Sequence, residues 1–540
     1  MHNNLSKVDI SAGHNDRLEE TLRSILSPDE IIMNEDDRAF YSTDVYSRGK
    51  TPAIVICPNN KDLLAKAVSA ISEAGYAIIP RGGGMSYTGG YRPVREDTVT
   101  VDLSQLNQIV EVNEEDMYIT VEAGVTWKAI YDRLQPLGLR LPFFGTFSGF
   151  KATVGGGLSN GALFMGTGRY GTAAEIVQCL EVVLANGTIL KTGQTGFKNV
   201  TKPFYRTYGP DLTGLFVHDA GSLALKVQAT LKMIRTPPVT DFLSFCFPDM
   251  SSTAKALSDV ARSGAAEEAY VFDPGSTKKN MAATDIVSDI KTLGAVVKGQ
   301  ANWIKGLVEG AKLVVAGRDF LQDGAYSLHI VVSGNGRGSV DTDLETIRSI
   351  VLKFGAEEIP NSIPKAVRAN PFKPLNGILG PDGDRWAALN AKVAHSDALP
   401  LMLETEEVFK EYEDQMKAHG VFMTRLMIAI GQHSFSYEPV FHWFDEWYPV
   451  HKKTPEVNHL KTLREPNPNP NASALVEEIR AKVVDLFARW GVASNQIGKT
   501  YPYFDSLLSE NAEVMSGLKK QLDPTGIMNP GALGFKDSEK

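Results

Sequence analysis

The chain has 540 residues, with 55 Lys plus Arg against 64 Asp plus Glu and a net charge of −9. Hydrophobic residues make up 43% and charged residues 22%, which excludes a disordered chain and fits two or three folding units of ordinary globular composition. The acidic balance carries no dense basic block, so a nucleic-acid partner is excluded. Cys57, Cys179 and Cys246 are far apart, which argues against a disulfide scaffold or a Cys-based zinc site and for a reducing compartment. The first residues lack the layout of a signal peptide, and no apolar run of about 18 residues occurs. The expectation is a soluble cytoplasmic protein.

In chain order, residues 1–30 read as a polar lead-in ending in a helix. AIVICP (53–58) is an apolar strand stopped by proline. From Lys61 to Gly75, Leu64, Ala67, Val68 and Ile71 recur near a 3.6 period, predicting an amphipathic helix with Gly75 as its stop. AIIP (77–80) is a strand running straight into RGGGMSYTGG (81–90). Strands follow at 98–104, 108–113 and 118–124, then a helix from Val125 to Leu137. The second glycine tract, TVGGGLSNG, occupies 153–161. CLEVVLANGTILKTG (179–193) predicts a hairpin turning at Asn186-Gly187 with both turn residues at positive φ. A strand at 224–234 closes the section before Pro237-Pro238.

Beyond residue 239 the helices lengthen. Apolar residues at 290–315 alternate with Lys291, Lys298, Lys305 and Lys312, which predicts a helix packed on its own domain, with a membrane-surface helix as the sharper alternative. TRLMIAI (424–430) reads as a strand, FSYEPVFHWFDEWY (435–448) is an aromatic cluster, and EPNPNPNAS (465–473) introduces a helix.

Glycines permit close backbone approach, and a strand that ends in RGGGMS exposes consecutive N–H groups able to cradle a pyrophosphate. Two such tracts in one domain favour a large phosphate-containing cofactor. Gly166-Thr167-Gly168-Arg169-Tyr170-Gly171 matches the letters of a dinucleotide fingerprint, yet LSNGALFM before it is a poor strand and Asn186 stands where the ribose-binding acid belongs. A Rossmann NAD site is rejected.

PRGGGMSYTGG, ATVGGGLSNGA with GRYG, CLEVVLANGTILKTG, DLTGLFVHDAGSLALKVQATL and LDPTGIMNPG, in that order, resemble the vanillyl-alcohol-oxidase-type flavoproteins, whose FAD domain is of the PCMH type. The resemblance covers residues 40–235 and 491–535 and is nearest to the glycolate/D-lactate-dehydrogenase-like branch. It implies an α+β fold: a two-subdomain PCMH-type FAD-binding domain plus an α+β cap domain with an antiparallel sheet. The expected units are a lead-in (1–40), the FAD domain (41–237), the cap (238–490) and a C-terminal segment returning to the FAD domain (491–540). Arg81, Gly82, Gly83, Gly84, Met85 and Ser86 would cradle the pyrophosphate, and Thr153, Gly156, Gly157, Ser159, Asn160 and Gly161 would line the flavin. Tyr170, Gly171, Gly221 and Leu223 would complete the cavity, and Asn529 would cap the cofactor. Many relatives attach flavin to a histidine of the first loop; Met85 stands there, so non-covalent FAD is expected.

The same resemblance implies an FAD-dependent dehydrogenase or oxidase of an alcohol carbon, above all a 2-hydroxy acid, with para-substituted phenols or aromatic alcohols as the alternative. A flavin oxidation needs a base for the hydroxyl proton, for which His433 and His442 are the candidates. An arginine fork suits a substrate carboxylate, with Arg425 first and Arg385 second. Glu438, between the two histidines, makes a divalent metal conceivable, but none is predicted. Tyr501 and Tyr503 belong to the aromatic set that would suit a phenolate. The electron acceptor (oxygen, quinone or cytochrome) stays open, as does homo-oligomerisation.

Overall fold

The computed structural model describes residues 10–276 and 324–535. The basic helix expected at 290–315 lies outside the described residues. Among the described residues no helix is long and apolar enough to cross a membrane.

Four short strands form the first sheet: β1 (Ile31–Ile32), β2 (Ile54–Ile56), β3 (Ala77–Arg81) and β4 (Thr98–Asp102), in the order β1-β2-β4-β3. β2 and β3 run parallel to β4, so the chain needs a crossover, and helix Lys61–Glu73 supplies it. The Asn60 side chain caps that helix by accepting from the Asp62 and Leu63 N–H groups. Its periodic face buries Leu64, Ala67, Val68 and Ile71, each contributing about 1.5–3 kcal/mol for the larger side chains. The far edge of β3 pairs with the C-terminal segment: Ile78 donates to the Ile527 carbonyl and Asn529 N–H donates back to Ile78.

The second sheet is antiparallel, with the order β5-β6-β10-β8-β9. Its strands are β5 (Ile109–Asn113), β6 (Tyr118–Glu122), β8 (Val177–Val183), β9 (Ile189–Lys191) and β10 (Leu225–Lys232), while β7 (Leu139–Arg140) pairs with β11 (Ile234–Arg235). The β8–β9 hairpin forms where the Asn-Gly signal places it, but by another turn. Only Gly187 takes a positive φ (80°), and the Leu184 N–H donates to the Thr188 carbonyl across a longer loop. The Asn186 side chain accepts from the Thr188 N–H instead of entering the left-handed region.

The third sheet has eight strands: β12 (Val239–Phe247), β13 (Glu268–Phe272), β14 (Tyr326–Gly334), β15 (Glu357–Glu358), β16 (Arg385–Ala388), β17 (Ala391–Val393), β18 (Phe422–Ile430) and β19 (Ser434–Trp443). Its order is β15-β12-β14-β13-β18-β19-β16, with β17 also on β19, and every pairing is antiparallel. Helices Met250–Ser263, Arg337–Val351, His395–Glu411 and Pro470–Arg489 share one apolar core with this sheet, including Phe245, Phe247, Phe435, Tyr437 and Phe441. Tyr270, Phe272 and Ile428 instead join the core of Trp127, Phe143 and Leu158. A buried ionic cluster ties β13 to the N-terminal half. Glu267 takes Arg140 and Arg368 at 2.9 Å each, and Glu268 takes Arg368 at 2.6 Å and the Gly166 N–H at 3.1 Å. Charges removed from water this way are tolerable only when each is paired.

Candidate active site

A cavity of about 870 Å³ opens between the two glycine tracts and the third sheet. The first tract follows from the end of β3. Val45 N–H donates to the Ser86 carbonyl and Leu103 N–H to the Arg81 carbonyl, which pins the loop at both ends. The glycines at its turn are required by close approach: a Cβ on Gly82 would lie 2.3 Å from Thr153 Oγ1, and one on Gly83 2.1 Å from the Lys151 carbonyl. Gly82, Gly83, Gly84, Met85 and Ser86 all line the cavity. Arg81 lines it too, but its guanidinium donates to the Phe40 and Thr43 carbonyls and lies against the rings of Phe40, Tyr41 and Tyr91. It braces the loop, whose backbone N–H groups are the ones expected to cradle the pyrophosphate.

The second tract is a short helix, Val154–Asn160, rather than an open loop. Thr153 caps it by accepting from the Gly156 N–H, while Ser159 and Asn160 side chains bond back to Gly155 and Gly156 carbonyls. Thr153, Gly156, Gly157, Ser159, Asn160 and Gly161 line the cavity, as does Gly221. Three expected residues do not, and a fourth is a fastener. Tyr170 and Gly171 end a separate short helix, where Arg140 covers the Tyr170 ring. Leu223 is buried in the apolar core. Asn529 donates to the Gly90 and Ala220 carbonyls and accepts from Lys499, clasping the C-terminal segment to the first glycine tract and to the Ala220-Gly221 turn.

The opposite wall comes from β18 and β19. In their register Leu426 faces Glu438, Thr424 faces Val440 and Phe422 faces His442. Opposed residues share a face and alternate residues reverse it, so Leu426, Ile428, Glu438, Val440 and His442 reach the cavity. The same parity removes Arg425. Its guanidinium is on the other face, held by Glu406 at 2.5 and 2.6 Å and by Asp273 at 3.6 Å. Arg385 is likewise taken by Asp445 and the Tyr46 carbonyl, under the Trp443 and Tyr448 rings. His433 stands exposed in the β18–β19 turn, not on the cavity wall.

His442 lines the cavity with both nitrogens engaged: Nδ1 meets Asp384 at 2.9 Å and Nε2 meets Thr424 at 2.9 Å, while Phe422 stacks on the ring. Glu438 is different. Tyr87 Oη (3.4 Å) and Asn390 Nδ2 (3.3 Å) both donate to Oε2, and among the described residues Oε1 has no hydrogen-bond partner. Burial pushes this carboxyl up from 4.5 to about 7, against the partial relief of the Asn390 and Tyr87 bonds. Tyr501 is outside the cavity, its Oη accepting from the Asn390 N–H at 2.6 Å. It therefore acts on Glu438 at one remove, through Asn390. Glu438 and His442 are about 13 Å apart along the strand at the usual rise, too far to share one metal ion. Among the described residues no group of three His, Cys, Asp or Glu is placed to hold one.

Sequence reasoning passed over Tyr87, Asn390, Asp384 and Gln496. Tyr87 stood inside the first glycine motif, and Asp384 and Asn390 inside GILGPDGDRWAALNA. What singles them out is a partner distant in sequence, which no local pattern reports.

The cavity's residues fit a flavin dinucleotide. Its glycine side is closed to any Cβ at Gly82 and Gly83, and two lining residues, Asn160 and Gln496, each carry a buried amide oxygen without a protein partner. Residues 52–193 match the family model described as FAD binding domain. Residues 52–193 are an FAD-binding domain, and FAD is the cofactor. This flavoprotein is 25% identical to glycolate oxidase subunit GlcD of Bacillus subtilis over 97% of its own length and 98% of the relative's. It is 31% identical to D-lactate dehydrogenase [cytochrome] 1, mitochondrial, of Saccharomyces cerevisiae, over 42% of its length and 37% of that protein. Its fold matches a crystal structure of p-cresol methylhydroxylase with TM-score 0.70 at 19% identity, covering 98% of each chain.

Proposed function

We propose that this flavoprotein oxidises the alcohol carbon of a 2-hydroxy acid, with Glu438 as the base that receives the hydroxyl proton. The observation that carries the reading is Glu438 itself: a carboxylate lining the cofactor cavity, with Oε1 unbonded among the described residues and a proton affinity matched to neutral pH. Bound FAD supplies the acceptor for the hydride leaving the same carbon. Tyr87 and Asn390 fix the Oε2 side of the carboxylate, so the proton is taken on Oε1. His442, held by Asp384 and Thr424, forms the far end of the wall. Full-length similarity to the glycolate oxidase subunit supports the hydroxy-acid class.

The wall around Glu438 is apolar, with Phe272, Trp386, Leu426, Ile428 and Val440, and neither Arg425 nor Arg385 reaches it. This lining favours an acid with a large apolar side chain over glycolate, and it also supports a second reading, an aromatic alcohol or para-substituted phenol. Anaerobic mixing of the holoenzyme with D-lactate, a long-chain 2-hydroxy acid and 4-hydroxybenzyl alcohol separates the readings. The long-chain acid should bleach the flavin fastest. Bleaching by the phenol alone favours the second reading, and bleaching by none of the three refutes both.

A further inference from the structure

A second cavity of about 400 Å³ lies behind the glycine helix, enclosed by residues 214–223, the end of helix Pro470–Arg489 and the segment 492–506. It is walled off from the first cavity by two contacts. The His218 ring sits where a Cβ on Gly161 would be, 2.3 Å from it, and Asp219, which lines the second cavity, is paired at 2.5 Å with Lys226, which lines the first. Of its lining residues, Ala488 and Ala493 are exposed.

The lining is mostly aliphatic and aromatic, with Val484, Phe487, Val492 and Met515 among it, yet the Lys392 ammonium stands in that wall beside the His218 ring. Lys392 is fixed at its backbone by reciprocal hydrogen bonds with Ala493. Among the described residues no carboxylate lies within ion-pair distance of its ammonium. The nearby Glu175 is capped on the Thr172 N–H and hydroxyl instead. His218 Nε2 is buried without a partner. Burial, followed by the charges of Lys392 and Lys226, holds this imidazole neutral and down to about 4, so it can present an N–H. Asp219 Oδ1 pairs with Lys226 while its Oδ2 is buried without a hydrogen-bond partner, so the lining charge without an ion pair is that of Lys392. The half-buried Lys392 ammonium, without an acidic partner among the described residues, faces an apolar chamber that a carboxylate would complement.

We propose that this second cavity is a binding site for a small amphiphilic monocarboxylate, with its carboxylate on Lys392 and its hydrocarbon body among Val484, Phe487, Val492 and Met515. Tyr501 lines this chamber but reaches Glu438 only through Asn390, and Lys392 takes no part in the alcohol oxidation, so the site stands independently of the substrate reading.

Titration calorimetry of the FAD-loaded full chain with octanoate tests it, with 1-octanol as the uncharged control. Octanoate should bind at least about tenfold more tightly than octanol, the usual effect of a charge-assisted hydrogen bond. Lys392→Met should weaken octanoate by the same factor while the flavin spectrum stays unchanged. Ala488→Trp, at an exposed position of the lining, should also block binding and decides the question if the lysine variant does not fold. Glu438→Gln should leave octanoate binding intact. The proposal is overturned if the wild type does not bind octanoate, if both cavity variants bind it normally, or if Glu438→Gln alone abolishes binding.

Discussion

Replacing Glu438 by Gln should remove activity and add stability, and the structure sets the size of both effects. The neutral amide keeps the shape and the Tyr87 contact but accepts no proton, so kcat/KM should fall by about 10²- to 10⁴-fold. The stability effect follows from the same burial. The folded chain holds the proton up to about 7, whereas an ordinary glutamate releases it near 4.5. As pH rises through that window the unfolded chain loses the proton and the folded chain does not, so wild-type stability falls by about 3 kcal/mol and then levels off above 7. The variant escapes that loss. It should be more stable by up to about 3 kcal/mol near pH 8, and by well under 1 kcal/mol near pH 4.5. Urea unfolding of both proteins at the two pH values measures the difference, and steady-state kinetics measures the activity. Wild-type kcat/KM should rise with pH up to about 7 and then level off. Equal stability near pH 8 would show that Glu438 is not held protonated by the fold. Activity retained within a few-fold would remove it from the chemistry.

Gly83→Ala should yield protein with little bound flavin, read from the ratio of flavin to protein absorbance, because the new Cβ would lie 2.1 Å from the Lys151 carbonyl. Arg425→Gln should lower thermal stability by about 1–3 kcal/mol through its lost bonds to Glu406 while KM for the hydroxy acid changes less than about twofold; a large rise in KM would return Arg425 to the substrate. Acid precipitation should leave the yellow colour in the supernatant, since Met85 occupies the position at which a histidine would attach the flavin, and a yellow pellet would refute dissociable FAD.

Local patterns disclosed most of the fold. The 61–75 periodicity produced helix Lys61–Glu73, and β2, β3, β4, β5 and β6 stand where apolar runs placed them. Both glycine tracts line the cavity, because close approach leaves its mark in residue type. The substrate wall was harder to read. Arg425 and Glu438 belong to neighbouring strands and differ only in parity, and parity is settled by the register of β18 on β19, a long-range fact. Likewise His433 and His442 are the same residue type nine positions apart, one in an exposed turn and the other buried on the wall. The Asn186-Gly187 hairpin was placed correctly with the wrong turn, since loop length, not the dipeptide, chose its geometry.

The alternation along β18 and β19 separates two kinds of evolutionary freedom. Odd positions such as Met427, Phe435, Tyr437 and Phe441 are committed to the helix-covered core, where any change of volume disturbs packing. Even positions such as Leu426 and Val440 line the cavity, so exchanging their side chains alters its wall and leaves the helix-covered core untouched. Substrate preference in this protein can therefore drift, or be redesigned, through a few side chains on a scaffold that stays as it is.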